Sequence, residues 1–267
     1  MSSRLRESIE SAVSRRGLAF LPFLPAGYPD WAGFAAALRA VSDAGADCVE
    51  IGFPFSDPIA DGPTIQAAFA HALRNGVKVA DVFAAVASAR QTVQNPLVAM
   101  VSHSIVFRQG VERFCGDAKS AGFDGILIPD LPPPEAQATC EVVRSHGLDT
   151  VLLVAPTTSA ARRQKIAELC SGFVYYLSIS GVTGERDALP TDLSRNVTEL
   201  KSMTRVPVCV GFGISHPSHL SQLCGVADGA IVGSALVKQM APAGASSPEA
   251  VAQAVRSYCR QLLSGLR

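Results

Sequence analysis

The sequence predicts a single (β/α)8 barrel over residues 1–267, and three observations support this prediction. Eight apolar runs of strand length recur along the chain, and segments with helical periodicity separate them. The runs are continuously apolar rather than alternating, which is typical of parallel strands buried on both faces. A length of 267 residues with 48% hydrophobic content is enough to build one such barrel.

The predicted strands have a clear order along the chain. They are Leu18–Leu24, Cys48–Phe53, Pro96–Val101, Gly125–Ile128, Thr150–Ala155, Phe173–Ile179, Val206–Val210 and Gly229–Val232. A doubly wound open sheet is the main alternative for this alternation of strands and helices. That fold usually carries a glycine fingerprint after its first strand, whereas this chain has PAGYPD there, which indicates a turn.

Capping signals set the predicted helix boundaries. The predicted starts are Asp30, Pro132–Pro134, Ser159 (for Ala160–Cys170), Asp192 or Ser194, and Ser247, and the predicted stops include Gly45 and Gly147. The connection between Phe53 and Asn95 is long enough for a loop and two helices. The barrel is therefore expected to carry an extra N-terminal helix and additional helices in the crossovers of the second and eighth strands.

Composition and charge argue against several classes of protein. Lys+Arg and Asp+Glu are equal at 23 each, without a basic stripe or a charge block, so nucleic acid is not an expected partner. The seven cysteines form no C-x-x-C pair and are expected to be free thiols in a reducing cytoplasm. The charged N-terminal segment predicts neither a signal peptide nor a membrane span.

The stretch EIGFPFSDPIADGPTIQ gathers three carboxylates where the second strand ends. Catalytic residues of a (β/α)8 barrel lie at the C-terminal ends of its strands. Glu50 falls within the strand, and because an unpaired buried carboxylate is costly, a role in the site is favoured over a structural one. Asp61 precedes Gly62–Pro63, where helix capping is the alternative to catalysis. Asp57 is predicted to make a turn or a surface contact.

Two glycine loops follow the last two strands. The segments GFGIS and GSA place Gly211, Gly213, Gly233 and Ser234 ahead of helices. Uncovered backbone amides at such points bind a phosphate dianion without net positive charge. Tight turns alone would explain one such loop, but two adjacent loops in this fold favour a phosphate site.

Missing motifs restrict the chemistry further. The lysines lie in predicted helices or at their edges, which argues against a Schiff-base aldolase. His216 and His219 have i, i+3 spacing but lack a third ligand, so no metal site is predicted. The chain has neither a nucleophile elbow nor a Walker loop. Carboxylate acid–base catalysis on a phosphorylated substrate remains.

Several motifs closely resemble those of the tryptophan synthase alpha chain family. They are EIGFPFSDPIADGPTIQ, LPFLPAGYPD, GILIPDLP, YYLSISGVTGERDALP, GFGIS and GAIVGSALVK, and they span nearly the whole chain. The resemblance implies a cofactor-free lyase that cleaves indole-3-glycerol phosphate to indole and glyceraldehyde 3-phosphate. It also implies a pyridoxal-phosphate beta chain as partner, in an alpha2beta2 assembly, that receives the indole through a tunnel.

The same resemblance assigns residues to roles. Glu50 and Asp61 match the two catalytic carboxylates of the family. Tyr175 matches a residue of the site, and Thr183 matches one on a closing loop. The residues that would line the indole pocket are Phe23, Ile65, Met100, Leu127, Phe212 and Ile231 or Val232. The matching phosphate binders are Gly184, Gly213, Gly233 and Ser234.

The implied reaction needs an acid that protonates indole C3 and a base that takes the proton of the 3′-hydroxyl. Glu50 is the candidate for both steps, which requires a pKa raised toward neutrality. Asp61 is expected to stay ionised in a hydrogen-bonded setting and to accept the indole N1–H. The loop Ser180–Pro190 is predicted to be a lid that is disordered when the site is empty, with Thr183 bonding Asp61 on closure.

One departure from the family pattern affects the third strand. It ends in MVSHSIVF, where Ser102, His103 and Ser104 replace a tyrosine and an asparagine that family members often have nearby. The serines remove bulk and an aromatic face beside the implied indole pocket and partner interface, whereas the carboxylate pair and the phosphate loops follow the family pattern. Three alternatives remain at this point: a stand-alone lyase that releases free indole, a phosphosugar isomerase, and a binding subunit that has lost catalysis.

Overall fold

Eight parallel strands form a closed barrel in which each strand pairs with its neighbours in chain order. The computed structural model describes residues 3–58, 61–178, 191–211, 213–243 and 247–266. The first and last strands close the sheet, with Ala19 paired to Gly229 and Pro22 to Val232. The predicted barrel is confirmed, and the open doubly wound sheet is excluded.

The strands match the predicted apolar runs. They are β1 Ala19–Pro25, β2 Val49–Gly52, β3 Leu97–Met100, β4 Gly125–Leu127, β5 Asp149–Val154, β6 Phe173–Leu177, β7 Val208–Gly211 and β8 Gly229–Val232. Their residues are buried, except that Leu153 and Leu177 are half-buried. Burial on both faces explains why the runs do not alternate, since one face packs on helices and the other fills the barrel.

Helices cover the outside of the sheet. They are α1 Arg4–Arg16, α2 Trp31–Asp43, α3 Pro63–Arg74, α4 Val79–Ala89, α5 His103–Gln109, α6 Val111–Ala121, α7 Pro133–Ser145, α8 Ala160–Leu169, α9 Leu193–Ser202, α10 Pro217–Leu223, α11 Ser234–Ala243 and α12 Pro248–Leu263, with a 3-10 turn at Ser264–Leu266. The extra helices at the N-terminus and after β2 and β8 are confirmed. The crossover after β3 also has two helices, because Gly110 adopts φ +87° between them.

Most of the predicted caps are confirmed. Asp30 Oδ1 accepts from Gly33 N at 2.7 Å, and Ser247 Oγ accepts from Ala250 N at 3.2 Å. Ser159 holds the N-cap position of α8, but its side chain makes no cap bond, and the helix ends one residue earlier than predicted. Of the two predicted starts for α9, Asp192 is the N-cap.

The N-terminal end of the barrel is closed by α1. Leu5 and Ile9 are fully buried in the cluster that fills the barrel interior. Arg15 and Arg16 both form ion pairs with the buried Asp47, which fixes the end of α1 against the strands. Because this end is sealed, a cavity inside the barrel opens only toward the C-terminal ends of the described strands.

All seven cysteines are free thiols, as predicted, and most of them are buried. Burial raises the pKa of the Cys170 and Cys259 thiols to about 12, so these groups are protonated small hydrophobes at neutral pH. Among the described residues, no helix has the length and apolar character needed to cross a membrane.

Candidate active site

A cavity of about 780 Å³ lies at the C-terminal end of the barrel. The predicted site residues that line it are Phe23, Glu50, Asp61, Ile65, Met100, Leu127, Tyr175, Gly213, Gly233 and Ser234. Of the two alternatives on β8, Ile231 lines the cavity, whereas Val232 belongs to the core between sheet and helices. Thr183, Gly184, Phe212 and the predicted lid 180–190 lie outside the described residues.

Glu50 points into the barrel because strand residues alternate between faces. Its neighbours Val49 and Ile51 belong to the outer core, while Phe23, its partner on β1, belongs to the inner cluster. The side chain of Glu50 is only 3% exposed. Burial, with a smaller contribution from the charge of Asp61, raises the pKa of Glu50 to about 8.

Asp61 reaches the same cavity from the loop between β2 and α3. Gly62 holds the N-cap position of α3, so Asp61 does not occupy the capping position that was the alternative to catalysis. Its backbone is fixed by two hydrogen bonds, from Asp61 N to Pro58 O at 3.0 Å and from Gln66 Nε2 to Asp61 O at 2.7 Å. Burial raises the pKa of Asp61 to about 6.

The two carboxyl groups therefore differ in protonation near pH 7. Glu50, with a pKa of about 8, is mostly protonated, and Asp61, with a pKa of about 6, is mostly ionised. Burial rather than hydrogen bonding is the main cause of both pKa shifts. The hydrogen-bonded setting expected for Asp61 is therefore not what makes the two pKa values differ. One proton donor and one anion in a single cavity can perform acid–base chemistry at neutral pH.

Tyr175 stands beside this pair on the inner face of β6. It is 7% exposed, and burial together with the charges of Glu50 and Asp61 raises its pKa well above the ordinary value. The phenol is therefore neutral. Gly211 at the end of β7 makes room for this ring, because a Cβ there would lie 2.5 Å from Tyr175 Cζ. The sequence associated Gly211 with phosphate binding, but the close approach of Tyr175 is what requires a glycine there.

A large part of the cavity wall is apolar. Sequence reasoning missed several apolar members of this wall, including Phe55, Leu153 and Leu177. The ring centroids of Phe55 and Phe69 are 5.7 Å apart, so Phe55 packs on α3. Leu153 and Leu177 occupy inward positions two residues after Val151 and Tyr175, and this period-2 spacing is the signal that could have found them.

The end of the cavity near β7 and β8 presents backbone amides. Gly213 has φ +82°, and Gly233, Ser234 and Ala235 also line this end. The hydrogen bonds of α11 start with Leu236 N and Val237 N, which donate to Gly233 O at 2.9 and 3.0 Å. The amides of Ser234 and Ala235 precede this ladder, so they can face an anion at the positive end of the helix dipole.

The loop after β3, where the sequence departs from the family pattern, holds Asp130 at the cavity rim. Ser102 Oγ donates to Asp130 Oδ2 at 3.0 Å, and His103 N donates to Asp130 Oδ1 at 2.7 Å. Ser102 Oγ also bonds Ser104 Oγ at 2.8 Å. The serines thus form a polar network that orients Asp130, which lines the cavity. Asp57, predicted to be a turn or surface residue, lines it as well.

The described residues contain no cluster of potential metal ligands. Their His, Cys, Asp and Glu side chains form no group of three or more that could hold a metal ion. His216 and His219 instead make an edge-to-face ring contact with centroids 5.5 Å apart.

Comparisons with known proteins show which proteins this chain is similar to. The family model for the tryptophan synthase alpha chain matches residues 9–266. A protein named tryptophan synthase alpha chain from Rhodopirellula baltica is 42% identical to this chain, and the match covers 97% of this chain and 96% of that protein. A protein of the same name from a Synechocystis strain is also 42% identical, and the match covers 96% of this chain and 97% of that protein. A solved structure of Mycobacterium tuberculosis tryptophan synthase has a TM-score of 0.90 at 37% identity, covering 100% of this chain and 99% of that one.

Proposed function

The chain belongs to the tryptophan synthase alpha chain family, and on that premise we propose that it cleaves indole-3-glycerol phosphate to indole and glyceraldehyde 3-phosphate. Membership makes it a lyase of tryptophan biosynthesis. The observation that carries the specific reaction is the pair Glu50 and Asp61, which share one cavity with pKa values of about 8 and 6.

Glu50 is the acid and the base of the proposed cleavage. Its proton goes to indole C3, which turns the ring into an electron sink. The carboxylate that results takes the proton of the 3′-hydroxyl, while the bond between ring and side chain breaks and its electrons return to the ring. The proton count of Glu50 is restored at the end, so neither a cofactor nor an external base is needed.

Asp61 supports the intermediate. Protonation at C3 places positive charge on indole N1, and an ionised carboxylate that accepts the N1–H stabilises it. A pKa of about 6 keeps Asp61 ionised at neutral pH. The neutral Tyr175 beside the pair adds no charge that would compete with this interaction.

The rest of the cavity suits the two ends of this substrate. The apolar side chains of Phe23, Met100 and Leu127 fit an indole ring, and the amides at Gly213, Gly233 and Ser234 fit a phosphate dianion. A phosphosugar isomerase would share the amide loops, but its substrate has no aromatic ring for this apolar wall to bind. The family match does not support this function either.

A beta chain is the proposed partner, in an alpha2beta2 assembly that passes indole from one subunit to the other. The support is family membership, since the similar Mycobacterium tuberculosis protein is a tryptophan synthase. A stand-alone lyase that releases free indole is the alternative. The two differ in one measurement, because only a partnered subunit turns over faster when a beta chain is added.

The test is to incubate the purified chain with indole-3-glycerol phosphate, with and without a beta chain, and to measure indole. Glu50→Gln is expected to abolish cleavage while substrate affinity changes little. The control is Glu141→Gln, the same substitution at an exposed position on α7, which should leave the rate unchanged. Cleavage by Glu50→Gln at a near wild-type rate would end the acid–base assignment.

A further inference from the structure

Ser215, in the loop that follows β7, is held by side chains from two helices. Its backbone N–H donates to His219 Nδ1 at 3.3 Å, and its backbone carbonyl accepts from the Tyr258 hydroxyl at 2.8 Å. Gly213, which lines the amide end of the cavity, lies two residues earlier in the same loop. Both backbone polar groups of Ser215 are therefore oriented by residues outside the loop.

His219 is suited to this contact. It lies on α10 and is 0% exposed. Because Nδ1 accepts the Ser215 N–H, the ring proton of a neutral His219 is on Nε2. The donor and acceptor are both buried, so removing the acceptor would leave the Ser215 amide without this partner in an environment that water does not reach freely.

Tyr258 brings the second contact from a distant part of the chain. It lies on α12, 43 residues from Ser215. The helix itself is anchored by buried Val251, Val255, Cys259 and Leu262. The segment after α12 also contacts α10, where Ser221 Oγ donates to Gly265 O at 2.6 Å. The position of the loop therefore depends on where α12 packs.

We propose that His219 and Tyr258 are positioning residues for the phosphate end of the cavity. They hold Ser215 so that the amide of Gly213, two residues earlier, keeps the direction needed to bind a dianion. Neither side chain lines the described part of the cavity, so neither is a catalytic residue. This inference rests on the proposed function, because it assumes that the amide end receives the phosphate.

Amide-based binding makes such support necessary. A binding site made of backbone N–H groups works only if the loop is held in one conformation, since a mobile glycine loop loses conformational entropy on binding. Each supporting hydrogen bond is expected to change phosphate affinity by about 2- to 10-fold, the range that the loss of one ordinary hydrogen bond gives.

The test compares two ligands on the full chain by calorimetry. Glycerol 3-phosphate probes the phosphate end, and indole probes the apolar end. Tyr258→Phe and His219→Leu are expected to weaken glycerol 3-phosphate binding about 2- to 10-fold, with indole affinity unchanged. In cleavage assays the same variants are expected to raise KM for indole-3-glycerol phosphate while kcat stays near that of the wild type.

Two further variants sharpen the comparison. His219→Asn keeps an acceptor close to the position of Nδ1 and should recover most of the lost phosphate affinity. Tyr28→Phe is the matched control, since it removes a hydroxyl from a half-buried tyrosine that does not line the cavity. If His219→Leu does not fold, Tyr258→Phe decides, because it preserves the ring.

Two outcomes overturn the inference alone. One is unchanged glycerol 3-phosphate affinity in folded Tyr258→Phe and His219→Leu. The other is an equal loss of affinity for both ligands, which would mean that these residues support the fold in general. Failure of the wild-type chain to bind glycerol 3-phosphate is a different result, because it removes the phosphate site of the proposed function and this inference with it.

Discussion

The ring of Tyr175 occupies the space that a side chain at Gly211 would need. A Cβ on Gly211 would lie 2.5 Å from Tyr175 Cζ and 2.6 Å from Tyr175 Cε1, and it would overlap the hydroxyl. The two residues sit on neighbouring strands, where Tyr176 pairs with Val210 and Leu177 pairs with Gly211. Since Tyr175 stands beside Glu50 and Asp61, the missing side chain at Gly211 determines how closely a phenol can approach the carboxylates.

Gly211→Ala is therefore expected to displace Tyr175. Overpacking of a buried site costs about 1–3 kcal/mol, and the displaced ring should lower kcat/KM at least about 10-fold. Urea unfolding and an indole-release assay measure the two effects. Adding Tyr175→Leu should recover the lost stability. Gly116→Ala is the control, because a Cβ there meets no atom within 4 Å; equal behaviour of the two alanine variants would contradict the steric argument.

The pH dependence of cleavage should follow the two carboxyl groups. Asp61 must be ionised and Glu50 protonated, so kcat/KM should be bell-shaped with limbs near their pKa values of about 6 and 8. Burial is the main cause of the raised Glu50 pKa, and the charge of Asp61 adds a smaller contribution. Asp61→Asn removes that smaller contribution, so the pKa should fall while staying above its ordinary value. Carbon-13 NMR of labelled glutamate can follow it. A Glu50 pKa that stays the same in Asp61→Asn would show that the groups do not interact.

Stability should also depend on pH through Glu50. Its pKa rises from 4.5 in the unfolded chain to about 8 in the folded one. Between these values the unfolded chain has lost the proton that the folded chain keeps, so stability falls as pH rises. Glu50→Gln removes this loss. It should be more stable than the wild type by roughly a few kcal/mol at pH 8.5 and show no such advantage at pH 4.

Denaturant unfolding at several pH values measures this difference. Glu141→Gln, at an exposed glutamate on α7, should give a curve parallel to that of the wild type. If the stability of Glu50→Gln changes with pH in the same way as that of the wild type, burial does not raise the pKa of the Glu50 carboxyl.

Arg163 is expected to stabilise the loop between β5 and α8. It is 7% exposed, and its guanidinium donates to Thr158 O at 2.9 Å and to Pro156 O at 3.0 Å. Arg163→Met should lower the free energy of unfolding by about 2–4 kcal/mol, because these two bonds and a longer one to Glu199 Oε2 at 3.4 Å are lost. The adjacent and exposed Arg162→Met should change it by less than about 0.5 kcal/mol. Similar losses in both variants would contradict this role.

The sequence predicted the barrel well because its signals are local. Continuous apolar runs bounded by glycine and proline identify buried parallel strands without any knowledge of their neighbours. The break at Gly110 was missed, since HSIVFRQGVERF keeps an apolar helical pattern across the glycine and only its backbone angle separates α5 from α6. Leu153 and Leu177 were missed because the two-residue spacing that marks them as inward does not show that they meet a cavity rather than a core.

The sequence by itself determined which residues belong to strands and, from the cost of burying an unpaired carboxylate, that Glu50 belongs to the site. Only the tertiary structure decided what these side chains do there. Burial by strands from the whole chain raises the pKa of Glu50 above that of Asp61, and Tyr258 reaches Ser215 across 43 residues. Strand propensity depends on neighbours in sequence, whereas desolvation, charge and hydrogen-bond partners depend on neighbours in space.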